Sequence, residues 1–236
     1  MSIIVRGGAR AAGSNPGPEL AVDPTRGAAR FSISPLDVQD FSGNILGHYR
    51  TVCISGALVS ISAGGILFSA RWAGPLPPIA LVTRIQASVE IITAVAVATP
   101  INFEVVGLKG FTVANTGGAS IVPTRMRSNM SQTSFADFRM ATTAALAGGT
   151  QTLDPVGFAY GAFALKVSPD IGATAATGES AGISAPVQDL YKWEPNGHPF
   201  VLGVNEGFLI RESVAGPTTG TYRVTFVIEH VEVAGF

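Results

Sequence analysis

Between Leu81 and Ile91 the chain alternates with a period of two: Leu81, Thr83, Ile85, Ala87, Val89 and Ile91 share one face, Arg84, Gln86, Ser88 and Glu90 the other. Successive side chains of a strand point to opposite faces, so this pattern demands a half-buried β-strand. A second stretch repeats it. Tyr222, Val224, Phe226 and Ile228 oppose Arg223, Thr225 and Glu229, but beyond His230 the apolar residues move to Val231 and Val233. Such a switch predicts a bulge near Glu229-His230, or a strand leaving its sheet for a partner.

The rest of the chain reads in the same way, as short apolar runs separated by turn residues. Val52 to Ile61 is expected as a strand, followed by the turn Ala63-Gly64-Gly65 and a strand from Ile66 toward Trp72. A further strand covers Asn102 to Val106 with Phe103 and Val105 inward, before a passage broken by Gly107, Gly110, Gly117 and Gly118. Ser128 to Met140 has mixed spacing and fits a short helix or an irregular crossover. Val156 to Val167 reads as a strand, and Ser168 to Pro186, which is poor in large apolar groups, as an exposed surface insertion. Phe200-Val201-Leu202 and Gly207 to Arg211 are expected to form a closing hairpin around Asn205-Glu206, with Thr221 to Val233 after the next turn. These features predict an all-β chain, an antiparallel β-sandwich over residues 41–236. Residues 1–40 are rich in Gly, Pro, Ala and Arg, and are expected as an extended N-terminal arm, either a loose tail or a segment that orders by lying across a neighbouring subunit.

Composition narrows what such a sandwich does. Hydrophobic residues make up 47% of the chain and charged residues 13%, too few charges to cover an isolated surface, so part of the exterior is expected to be an interface. The apolar excess does not signal a spanning helix. The best candidate, Ile79 to Val97, carries Arg84 and Glu90, which are costly in lipid. No membrane role is expected, and the Gly, Pro and Arg residues near Met1 leave no signal-peptide pattern, so synthesis in the cytoplasm is expected. Fifteen basic against 16 acidic residues, a net charge of -1, argue against direct nucleic-acid binding. The single Cys53, in the apolar run Val52-Cys53-Ile54, excludes an internal disulfide and reads as a small buried hydrophobe.

No motif for catalysis is found. His48, His198 and His230 have no neighbour at metal-ligand spacing. Gly118-Ala119-Ser120 lacks the closing glycine of a nucleophile elbow, and the glycines form neither a phosphate loop nor a dinucleotide fingerprint. Asp189, Glu194, Glu206 and Glu212 are the carboxylates from which an acid/base pair would be drawn, though with Lys192 and Arg211 nearby they read equally well as strand-edge and interface charges. Tyr191 and Trp193 are the aromatic pair that a glycan-binding surface would use, or else an anchor for the end of the sandwich. The expectation is a non-enzyme with no catalytic residues, no metal and no cofactor. Partner-binding residues are expected in the arm, at Arg6, Arg10, Arg26 and Arg30, and at Tyr191 and Trp193.

A resemblance adds context. Gly197-His198-Pro199-Phe200-Val201-Leu202-Gly203-Val204-Asn205-Glu206-Gly207-Phe208-Leu209-Ile210-Arg211, then Gly220-Thr221-Tyr222-Arg223-Val224 and Ile228 to Val233, resemble the C-terminus of small virion structural proteins of tailed bacteriophages. Met126 to Met130, Arg139 to Leu146, Gly148 to Asp154, Phe68 to Trp72 and the Leu81 to Val89 strand are similar to that group too, so the likeness spans most of residues 50–233. It implies a jelly-roll-like fold in a phage virion and a capsid decoration or cement protein that binds the major capsid protein of the head. It also implies self-association as a homotrimer. A tail or baseplate subunit and a receptor-binding module are the alternatives.

Overall fold

The computed structural model describes residues 45–75, 78–93, 100–126, 133–164, 187–194 and 197–234. The expected arm (1–40) and the Ser168 to Pro186 insertion lie outside the described residues. Every regular element among them is a strand: β1 (Ile45–Ile54), β2 (Ile66–Trp72), β3 (Ile79–Thr93), β4 (Pro100–Val113), β5 (Ala119–Ile121), β6 (Ala136–Met140), β7 (Thr150–Leu153), β8 (Ala159–Ala164), β9 (Gln188–Lys192), β10 (Phe200–Leu202), β11 (Gly207–Glu212) and β12 (Thr221–Val233). No helix among the described residues is long and apolar enough to cross a membrane.

The strands form two antiparallel sheets packed as a sandwich. One runs β1-β12-β3, with β10 and β9 side by side along the far edge of β3. The other runs β5-β6-β2-β11-β4, with β8 and β7 sharing the far edge of β4. Early strands pair with late ones in nested order: β1 with β12, β2 with β11, β3 with β9, β4 with β8. That is a long hairpin rolled up across two layers, the jelly-roll arrangement.

The core lies between the sheets. Ile85, Ala87, Val89 and Ile91 of β3 and Tyr222, Val224, Phe226 and Ile228 of β12 supply one wall, and Phe68, Trp72, Phe103, Val105, Phe208 and Ile210 supply most of the other. The Phe226 ring meets Phe103 edge-on at 5.3 Å and Phe68 at 6.1 Å, locking the layers together. The alternation from Ile85 to Ile91 and that from Tyr222 to Ile228 thus face the core as their patterns require.

The phase switch at the end of β12 has a different cause from the one its own pattern suggests. The β12–β3 register does shift there, pairing Glu229 with Arg84 but His230 with Val82. The β12–β1 register runs unbroken through the same residues, so the extra residue is Thr83 of β3. Beyond that bulge Ala80 and Val82 take the core face, whereas Leu81 turns outward and packs with Val231 and Val233 in a small second cluster. Leu81 therefore does not share a face with Ile85.

Several boundaries also differ from the expectation. β1 ends at Ile54, and only Leu58 of the following segment returns to pair, with Tyr222. β4 continues through Gly107 and Gly110 to Val113, because the positive φ of Gly110 (60°) absorbs a bulge within the strand. Ala136 to Met140 is a strand and not a helix, with Phe138 and Met140 buried in the core. The expected closing hairpin is not one: β10 pairs with β3, while β11 sits in the other sheet between β2 and β4. The 203–206 turn, with Asn205 at a φ of 58°, arches between layers. Phe208, Leu209 and Ile210 are all buried, as a central strand requires.

Candidate functional site

The carboxylates read as a potential acid/base pair are kept apart. Asp189 forms a two-point ion pair with Arg84 on the outer face of the first sheet (2.7 and 3.2 Å), and the Arg84 guanidinium holds its carboxyl below the ordinary value. Glu194 lies 3.8 Å from Lys192. Glu206 accepts the Gly203 N–H at 2.7 Å and fixes the arch before β11. Glu212 is at the opposite end of β11, roughly 20 Å away at strand spacing, fully buried against the Tyr222 hydroxyl. No two of these face a common cleft.

Tyr191 and Trp193 both work as anchors. The Tyr191 hydroxyl accepts the Phe200 N–H at 2.9 Å, and its ring meets Phe158 edge-on at 5.7 Å. Trp193 donates its indole N–H to the Gly197 carbonyl at 2.8 Å and packs against the Leu81–Val231–Val233 cluster. Both side chains are half-buried. Arg6, Arg10, Arg26 and Arg30 lie outside the described residues. Cys53 is buried, and burial pushes its thiol up to about 12, as the small-hydrophobe reading requires. His198 is exposed.

A polar cluster that no sequence motif marks sits between the sheets. Continuing the β12 alternation inward brings His230 and Glu232 to the core side, where they are 2% and 0% exposed. Ser134, just before β6, donates its hydroxyl to Glu232 Oε1 at 2.7 Å and lies 3.2 Å from His230 Nε2. The Phe135 N–H donates to the same carboxylate oxygen at 3.0 Å. The Tyr49 ring stacks on His230 at 4.9 Å, and its hydroxyl is pushed up to about 12 by burial and by the Glu232 charge, against an opposing pull from Arg125.

The residue types are those of a nucleophilic triad, but the geometry is not. In a triad the carboxylate holds the imidazole through the nitrogen opposite the hydroxyl. Here Glu232 approaches Nε2, the serine side, at 3.7 Å and itself accepts the hydrogen bond of the serine hydroxyl, while Nδ1 has no partner among the described residues. Ser134 Oγ also accepts the Ala136 N–H at 3.1 Å. The cluster fastens the start of β6 to the end of β12, across the two sheets. Its signal in the sequence is the placement of polar residues at 230 and 232, core-face positions of an otherwise apolar alternation.

Large apolar side chains remain on the surface. Val52 and Ile54, on the outward face of β1, are 54% and 55% exposed, and Val122, Val156, Tyr160 and Val187 reach 72%, 75%, 54% and 61%. Among the described residues no group of three or more His, Cys, Asp or Glu is arranged to hold a metal ion.

Comparison with known proteins identifies no relative: no family model, no curated protein and no solved structure matches the chain. The β-sandwich rests on the strand pairing alone.

Proposed function

We propose that this chain is a structural subunit of a tailed-phage particle, a decoration or cement protein that binds the major capsid protein, associates as a homotrimer and stabilises the head. The observation that supports this most is the surface. With 13% charged residues, the sandwich leaves Val52, Ile54, Val122, Val156, Tyr160 and Val187 uncovered. Large exposed apolar groups on a charge-poor exterior suit a subunit whose outside is another molecule's interface. The jelly-roll layering fits as well, since capsid proteins use it, although lectins and other binding proteins share it. The carboxylates stand apart and the serine, histidine and glutamate are engaged in fastening strands, so the geometry offers a structural role more than a chemical one. Repetition over many copies turns weak individual contacts into firm attachment.

Cryo-electron microscopy of the particle carrying this chain tests the reading. Regular protrusions bridging capsid subunits are expected; density confined to the tail would favour a tail or baseplate subunit and overturn the head assignment. Deletion of residues 1–40 is expected to weaken attachment to shells at least tenfold, and full-strength binding by the truncated chain would remove the arm from the account.

A further inference from the structure

Glu212, the last residue of β11, is 0% exposed and serves none of the roles proposed above. Its Oε1 accepts the Tyr222 hydroxyl, and its Oε2 has no partner among the described residues. Around it two loops are laced together by main-chain bonds. The Gly64 N–H donates to the Glu212 carbonyl at 2.7 Å and the Glu212 N–H to the Gly65 carbonyl at 3.0 Å. The Gly216 N–H donates to Ile61 at 2.8 Å, and the Ser60 N–H to Pro217 at 3.0 Å. Gly216 lies so close that a Cβ there would come within 2.7 Å of Oε2 and 3.0 Å of the Tyr222 hydroxyl. The two loops carry exposed Val59 and Val214.

We propose that Glu212 is a proton-operated latch. As the neutral acid it keeps the 58–65 and 213–217 loops laced to the end of the sandwich; on ionising, it loosens both together, with the apolar residues they present. Among the described residues no cation is placed to pair with a charge at this point. Beside the carboxylate lie Gly216 and the Tyr222 hydroxyl, while Gly64 and Gly65 bond to the Glu212 main chain and Phe103 is its cross-strand neighbour on β4; of these only Tyr222 titrates. Burial raises the carboxyl to about 7 from an ordinary 4.5, with the Tyr222 hydrogen bond pulling the other way, and the Tyr222 hydroxyl is itself pushed up by burial and by Glu212.

The sign follows from linkage. A carboxyl whose value is raised in the closed form binds more protons closed than open between the two values. The latch is therefore fully effective below the ordinary glutamate range, weakens as pH rises toward about 7, and loses no more above it.

Amide hydrogen exchange on the full chain from pH 5 to 8.5 reads this directly. The Ser60, Gly64 and Gly216 amides are compared between the natural protein and Glu212→Gln, with the Phe226 and Ile228 amides as an internal reference. Protection of the loop amides in the natural protein is expected to fall relative to Glu212→Gln by up to about tenfold per pH unit until about pH 7, then level off. The reference amides should show no such trend. Tyr222→Phe removes the hydroxyl that favours the carboxylate, so levelling should move to higher pH. A pH-independent ratio between the natural protein and Glu212→Gln overturns the latch. So does a loss of protection shared equally by the reference amides, which would be a global effect.

Discussion

Glu232 concentrates the energetics of the sandwich end in one side chain. It is fully buried and accepts both the Ser134 hydroxyl and the Phe135 N–H, so replacing it with alanine strands the Phe135 N–H and leaves the Ser134 hydroxyl only the His230 ring nitrogen at 3.2 Å. A buried donor left unmade costs about 1–3 kcal/mol, and Glu232→Ala is expected to destabilise by about that much in urea unfolding. Faster exchange of the Phe135 amide should accompany it. At this scale the sequence was readable where chemistry is plain: Cys53 in its apolar run is buried as expected. It was not readable where function depends on a tertiary neighbour. Nothing near Ser134 in sequence announces that Glu232 lies across the sandwich, nor does Glu212 announce Tyr222, and the carboxylates grouped along the C-terminal third end up on different faces.

Among the elements, β3 shows how one residue sets two faces. The Thr83 bulge lets Val82 and Ala80 point inward while Leu81 joins Val231 and Val233 outside. Because strand side chains alternate, removing a residue reverses every position beyond it. Deleting Thr83 is expected to abolish the cooperative thermal transition. Thr83→Val, which keeps the length and loses only the hydroxyl bond to the Glu229 carbonyl at 3.2 Å, should stay within about 1.5 kcal/mol of the natural protein. Periodicity made β3 and β12 legible from their residues. It also announced an irregularity at Glu229-His230, but a pattern in one strand cannot say which partner carries the extra residue. The β10–β11 assignment failed for a related reason. Two apolar runs joined by a short Asn-containing turn look the same whether they pair within a sheet or arch between sheets.

Across the whole molecule, Cys53 is a reporter already in place. It sits on β1 opposite Phe226, facing the core, with its thiol pushed up to about 12. Thiolate is the reactive form, so the folded chain is expected to resist a disulfide reagent at pH 8 and to label only as fast as it unfolds globally. Labelling that tracks urea unfolding checks the layered core; rapid stoichiometric labelling of the folded chain would contradict it. The nested pairing also carries a consequence for how such a chain comes into being. β12 is made after every other strand of the described residues, yet it lies between β1 and β3. Until Val233 has left the ribosome, the first sheet lacks its middle. Every shorter nascent chain then exposes the apolar wall of β3 with no strand between it and β1, and folding waits for translation of this last strand. Chains released before this strand is complete are expected to expose that surface and aggregate.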